Sequence, residues 1–390
     1  MSNIGFCLYN TSMSSYLLDK QFESLINNNS LYIFHNDYLT SDRSKNNWDN
    51  KFCVPSYDAG LLSAKKIIKI IKCVNIEVFV FFTFQSDLDK LIWKICQLLK
   101  IPTILHDHGI VFGNKIAGLK KLNLSRLRIR RKIFFSIKQI QLIYVMFLIN
   151  NKLNSKKKYS FDYYLIYSTN NLTYYQNFFI LTENNTSISG IPLFLNEEEF
   201  SSLRGKKKER KLLYLHQPFI KFSMSLLTFE EEINYINEIN EIAINNNLKL
   251  EIRLHPAQSI DEYQRIHWNS NISFENMISL ELQSASAYAI MGHWSTALAI
   301  SYPFRIPLII LEFPKTIDKY KQYYSIFKNV SYYCENIAQF KDALYKIQNS
   351  NNIKYNQTNW EKLIGTQFTV EADCIELISI IKTITNVRYK

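Results

Sequence analysis

Short apolar runs alternate with stretches of helical period through the first half of the chain. Ile4 to Tyr9 and Leu31 to His35 predict strands, and Pro102 to His106 predicts another. Val74 to Phe84 (V-N-I-E-V-F-V-F-F-T-F) is the strongest β-branched and aromatic run in the sequence. Between these runs a Ser/Thr cluster at 11–15 predicts a helix start, and Leu61 to Cys73 carries a helical pattern. Ser86 is placed to cap a helix through Leu99, with Asp89 three positions on as a variant capping box. Strand and helix in alternation predict a parallel sheet covered on both faces.

The pattern breaks between 183 and 210, where Glu183 to Thr186, Gly190 to Pro192, Glu197 to Glu199 and Gly205 to Arg210 are polar or turn-forming. It then restarts. Strands are expected at Lys211 to Leu215, Leu248 to Leu254, Tyr288 to Met291 and Leu308 to Leu311. Helices are expected at Phe229 to Asn245, Ile278 to Ala287, Thr296 to Tyr302 and, last, Glu371 to Ile384. The expected organisation is therefore α/β, with two Rossmann-like domains facing a cleft. The first spans 1–195, a linker 196–210, the second 211–370, and a terminal helix 371–390 is free to fold back.

At 390 residues, with 47% hydrophobic and 21% charged, the composition is globular and fits two domains. Six cysteines without a C-x-x-C pair argue against a zinc site or a disulfide framework and for a reducing compartment. No secretory leader is expected from M-S-N-I-G-F-C-L-Y-N, and no apolar run is long enough to span a bilayer. The net charge of +12 is concentrated. No acid falls between Asp107 and Asp162, whereas Lys115 to Lys158 hold thirteen Lys or Arg, so the remainder is near neutral. Within this segment a basic head, R-L-R-I-R-R-K, runs into an apolar aromatic tail. It suits an amphipathic element on an anionic membrane surface; a buried helix with a solvated cationic end and a nucleic-acid groove are the alternatives.

Candidate chemistry gathers where strands end. His106-Asp107-His108-Gly109 follows the strand at Leu105, and a carboxylate there can take a proton from a hydroxyl, or can simply serve a turn. His216-Gln217-Pro218 follows the strand ending at Leu215. Arg253 and His255, before Pro256, share a face of an alternating strand and form a candidate clamp for a phosphate. In G-H-W-S-T-A-L-A, Ser295 and Thr296 open an expected helix, whose N-terminus suits an anion, although capping alone also explains them.

The order L-H-D-H-G, Q-P, R-L-H-P, S-T resembles the bacterial sialyltransferases, whose motifs are an acidic D/E-D/E-G, an H-P and an S-S or S-T. About a dozen residues between 80 and 310 carry the likeness. It implies a GT-B fold and an inverting transfer of a sialic or other nonulosonic acid from a CMP-sugar. The acceptor would be a galactose-type, lipid-linked glycan of surface polysaccharide or lipopolysaccharide, met at the inner face of the cytoplasmic membrane. Asp107 matches the general base, with His108 where the family has a second acid. His255 matches the histidine that supports departure of CMP, and Ser295 and Thr296 the phosphate-binding hydroxyls. Glu281 matches the carboxylate that holds the ribose, with Glu275 as fallback. Gln217, Pro218, Arg253, Pro256 and His293 are expected around the nucleotide.

No metal or cofactor is expected on this reading, because His255, Arg253 and a helix terminus take up the charge growing on the leaving phosphate. Asp87-Leu88-Asp89 is a D-x-D after an apolar strand, as in metal-dependent GT-A enzymes, but acids also favour the first turn of a helix. The competing functions are another GT-B transferase using CMP-Kdo or CDP-glycerol, and a non-catalytic basic protein binding nucleic acid or anionic lipid.

Overall fold

In the computed structural model, the described residues are 2–8, 22–23, 25–26, 29–35, 54–82, 84, 87–107, 140–141, 159–256, 258–266, 268, 272–349 and 356–388. His108, Gly109, Ser86, the helix start at 11–15 and all of the basic segment 115–158 except Ile140 and Gln141 lie outside them. The chain forms two units. One comprises Met1–Leu195 with Gly365–Lys390, and the other Asn196–Ile364.

The first unit is built on a parallel sheet of β1 (Ser2–Cys7), β2 (Asn29–His35), β3 (Ser56–Asp58), β4 (Val78–Phe81), β5 (Thr103–His106), β6 (Tyr163–Ile166) and β7 (Thr186–Ile188). Their order is β3-β2-β1-β4-β5-β6-β7. Parallel strands are buried on both faces, which is why β4 reads as an unbroken apolar run, V-F-V-F. Val78 and Val80 face one core with Phe6 and Ile33, whereas Phe79 and Phe81 face the other with Phe34 and Leu105. The second core is covered by α1 (Ala64–Cys73) and α2 (Asp87–Leu99), through Ile67, Ile71, Leu91, Ile92 and Ile95. Gly5 is required on that face: a Cβ there would sit 2.6 Å from the Phe79 ring. The strand expected over Val74 to Phe84 is shorter than its apolar run, because Val74 caps α1 and Ile76 is already core between elements.

A third helix, α3 (Thr169–Tyr175), follows β6 and is capped by the Ser168 hydroxyl on Asn171 N. Residues 196–210, expected as a linker, begin the second unit instead. Asn196 caps α4 (Glu197–Arg204), and the three glutamates of its first turn suit the positive end of the helix. A parallel six-stranded sheet follows, with β8 (Lys211–Leu215), β9 (Lys249–Arg253), β10 (Ser273–Phe274), β11 (Ala289–Gly292), β12 (Leu308–Leu311) and β13 (Tyr332–Cys334). The strand order is β10-β9-β8-β11-β12-β13. Its helices include α5 (Phe229–Asn245), opened by a Thr228/Glu231 capping box, α6 (Ile260–Gln264) and α7 (Leu280–Ser286). Farther along come α8 (Ile337–Asn349) and α9 (Gln357–Ile364).

The last segment also departs from the expected boundaries, because the first unit resumes at Gly365 and not at 371. Gly365 and Gly190 both have φ of 81°, and a Cβ on Gly365 would lie 2.5 Å from Gly190 Cα and from Tyr167 O. Two backbones meet there with no room for a side chain. Helix α10 (Val370–Arg388) then lays Leu377, Ile380 and Ile381 against the β1 and β4 side of the first sheet, at helical spacing.

Candidate functional site

The chain builds β8, β9 and β10 outward in one direction, then β11, β12 and β13 outward in the other, so its direction reverses between β8 and β11. Ligands of open parallel sheets bind beyond the strand ends at such a reversal. Most sequence candidates of this unit lie at or after the ends of β9, β8 and β11, three neighbouring strands, and Glu275 and Glu281 follow β10. Gln217 joins two of these loops by accepting from Trp294 N with Oε1 (3.0 Å), and His216 N donates to Arg253 O (2.9 Å) across to the third. Pro218 is buried beside Phe219, which packs on Trp294 at a ring separation of 4.6 Å.

His255 is partly exposed in the loop after β9, with its ring 6.2 Å from the exposed Phe222. Burial pushes its imidazole pKa down, and the nearby His216 and Lys221 push the same way, so the free ring favours the neutral form. Pro256 is exposed in the turn that follows. Arg253 does not form the expected clamp with His255. Its Nη1 donates to Ile278 O and Gln283 Oε1, each at 2.6 Å, and its charged neighbours are Glu281 and Glu275. Arg253 therefore belongs with Glu281, which is buried in the first turn of α7 with its carboxyl pKa raised by burial. Glu275 instead accepts from Met277 N and Ile278 N (2.6 and 3.1 Å) and shapes a turn.

Two expectations after β11 need correction. Thr296–Ser301 is a six-residue 3₁₀ turn and not an α-helix, with Ser295 Oγ accepting from Ala297 N (3.2 Å). So short a turn supplies little of the macrodipole assumed for phosphate binding; Ser295 and Thr296 are left as partly exposed hydroxyl groups. His293 does not face a ligand. It is wholly buried among Tyr214, Phe219 and Phe313. Its Nδ1 donates to Leu311 O (2.5 Å) and its Nε2 accepts from Tyr214 Oη (2.7 Å). Burial holds it neutral, with a pKa lowered to about 3.

In the first unit, His106 ends β5 and Asp107 follows it, both beneath the surface at 0% and 1% exposure. Asp107 Oδ2 accepts from Tyr167 N (3.2 Å) and Asn171 Nδ2 (2.5 Å), and Oδ1 accepts from Tyr175 Oη (2.9 Å). A carboxylate so enclosed is placed to orient α3, not to collect a proton from an arriving hydroxyl, which corrects the expectation of an open base. His106 faces two acceptors, Asp107 O at Nδ1 (2.5 Å) and Asp373 Oδ2 at Nε2 (3.0 Å). The protonated ring satisfies both acceptors. Burial opposes the charge, but Asp373, its hydrogen bond and Asp107 outweigh burial and raise the pKa. Two buried histidines are thus shifted in opposite directions because their partners differ.

The D-x-D does not form an open chelate, since Asp89 is wholly buried and its Oδ1 lies 3.5 Å from Cys7 Sγ. Among the described residues no cluster of three His, Cys, Asp or Glu side chains is arranged to hold a metal. Sequence reasoning missed Lys221, Glu232, Gln258 and Tyr263 around His255, Asn171 and Tyr175 around Asp107, and Asp373 beside His106. Only Gln258, three places after His255 in H-P-A-Q, sits close enough in sequence to have drawn notice.

No protein-family model matches the sequence, and no curated protein matches it. Solved structures do. The spinosyn rhamnosyltransferase SpnG aligns over 97% of this chain and 100% of its own, with a TM-score of 0.59 at 10% identity. The Methanocaldococcus jannaschii UDP-GlcNAc 2-epimerase, solved with UDP-GlcNAc and UDP, covers 97% of this chain and 99% of its own at 0.51 and 12%. The S. aureus MnaA–UDP structure covers 99% and 97% at 0.55 and 10%. The fold is GT-B. Within GT-B the likeness carries the architecture, and the site carries whatever is specific to this chain.

Proposed function

We propose that the protein is a glycosyltransferase whose second unit holds a nucleotide-activated sugar by its phosphate, and that the donor is a CMP-activated nonulosonic acid of sialic type. The observation that carries this reading is the placement of His255, Gln217 and Ser295 on three loops beside the chain reversal at β8 and β11. His255, neutral when free and close to Lys221, gains a proton as a phosphate approaches and stabilises the charge that grows there as the glycosidic bond breaks. Glu281, kept near Arg253, is the carboxylate for the ribose hydroxyls, and Ser295 and Thr296 are hydroxyl donors for the phosphate. The preference for CMP rests on the H-P and S-T motifs in this order. SpnG has also been solved with thymidine diphosphate and VinC with dTDP, so those nucleotides are the necessary comparison.

The acceptor is proposed to be a galactose-terminated glycan, lipid-linked and met at a membrane surface through 115–158. No helix of the described residues is long and apolar enough to cross a membrane. The deciding experiment follows CMP release from CMP-sialic acid with galactose-terminated acceptors, beside thermal shifts with CMP, CDP, UDP and dTDP. Acceptor-dependent CMP release and the largest shift with CMP support the reading. Stabilisation by UDP or dTDP alone, without CMP release, overturns the choice of donor.

A further inference from the structure

His255 stands on a loop that a buried polar network fixes from below. Gln258 N donates to His255 O (2.8 Å), and His255 N donates back to Gln258 Oε1 (3.2 Å), closing a small ring of backbone and side chain. The same amide lies against His216 Nδ1, at 3.1 Å from Oε1 and 3.0 Å from Nε2, and Nε2 donates to Tyr263 Oη (2.8 Å). Tyr263 Oη donates to Glu232 Oε2 (3.3 Å), and the other Glu232 oxygen lies 2.9 Å from His216 Nε2. Glu232 and His216 are each 2% exposed and Tyr263 is 3% exposed. The circuit gathers the end of β8, the first turn of α5, the loop after β9 and α6.

A buried polar chain of this kind is costly for packing alone, and apolar side chains would fill the same space without desolvating a carboxylate. The one member that reaches toward solvent is the loop carrying His255. We infer that Gln258, locked by Glu232, His216 and Tyr263, is a positioning residue that fixes the His255 imidazole for the donor phosphate. His216 Nδ1 meets the Gln258 side-chain amide, whose Oε1 also accepts from His255 N, while the Gln258 backbone N–H holds His255 O. Glu232 anchors this amide from α5 through Tyr263 Oη. The inference rests on the proposed phosphate role of His255, but the geometry it concerns is measurable without turnover.

The test uses the full chain with histidines labelled with ¹⁵N, comparing wild type with Gln258→Ala, Gln258→Glu and Tyr263→Phe. In Gln258→Ala, the His255 ring should titrate nearer the ordinary imidazole range as its loop loosens, and kcat for donor cleavage should fall about tenfold to a hundredfold. KM for the donor should change much less than kcat. Gln258→Glu keeps an oxygen for His255 N and should recover part of kcat, and Tyr263→Phe should cost only a few-fold. A folded Gln258→Ala protein with an unmoved His255 titration and unchanged kcat overturns the inference. If the wild type cleaves none of the donors, the proposed function fails. The His255 titration, with CMP or inorganic phosphate as probe, still decides whether Gln258 positions the ring.

Discussion

Replacing Asp107 with Ala should damage the first unit itself. The substitution removes the acceptor from a backbone N–H, an amide and a phenol, all in a site where the carboxylate is 1% exposed. Each buried donor left without a partner costs about 1–3 kcal/mol, with the upper end for bonds to a charged group. Some of that is recovered, because Asn171 and Tyr175 side chains can turn, whereas Tyr167 N cannot. Breaking a buried charged cluster from one side costs about 3–5 kcal/mol, and that is the expected loss here. For a unit of this size it lowers the melting temperature by roughly 6–20 °C. Calorimetry resolves the two units if they melt separately, and hydrogen exchange at α3 and β5 localises the change. Asp107→Asn, which keeps the shape and one acceptor oxygen, should fall between. A melting temperature for Asp107→Ala within about 2 °C of wild type would refute the structural assignment and return Asp107 to the role of an open base.

His255→Ala should lower turnover by two orders of magnitude or more, about 3 kcal/mol of transition-state stabilisation, with the fold intact by circular dichroism. Because the free His255 pKa is depressed and a bound phosphate raises it, nucleotide binding should take up a proton near neutral pH. Calorimetric titration in buffers of differing ionisation enthalpy reads this uptake directly, and the affinity should weaken as pH rises through the pKa of the complex. His106 has a raised folded pKa, so its pairing with Asp373 adds stability that is full below about pH 6.5 and lost as pH rises through the folded value. Asp373→Asn should flatten that part of the melting-temperature profile above neutrality. Gly365→Ala combines a left-handed φ with a Cβ 2.5 Å from two backbone atoms and should cost about 2–4 kcal/mol, read as loss of soluble protein or a lower melting point.

Much of this fold was legible because parallel strands announce themselves by apolar runs and helices by period. V-F-V-F, K-L-L-Y-L and L-I-I-L all became central strands. Boundaries were harder. The polar stretch around Glu197 looked like a linker because a surface helix with three leading acids carries little apolar signal, yet Asn196 caps it. His293 looked chemical because an imidazole beside a Ser-Thr pair invites that reading; only the Leu311 carbonyl and Tyr214 hydroxyl show it to be core. Asp373 could not be matched to His106 by any local rule, since 267 positions separate them. Arg253 and His255 share strand parity, but β9 ends at Arg253, so alternation no longer governs where His255 lies.

The return of α10 to the first sheet has a consequence for biosynthesis. On a ribosome the second unit, continuous from Asn196 to Ile364, has every one of its strands before α10 is made. The first sheet, begun earlier, must wait with the core around Val78, Val80 and Phe6 lacking Leu377, Ile380 and Ile381, and His106 without its carboxylate, until those late residues emerge. The part translated first is therefore finished last. During that interval its open apolar face is the natural target of a holding chaperone.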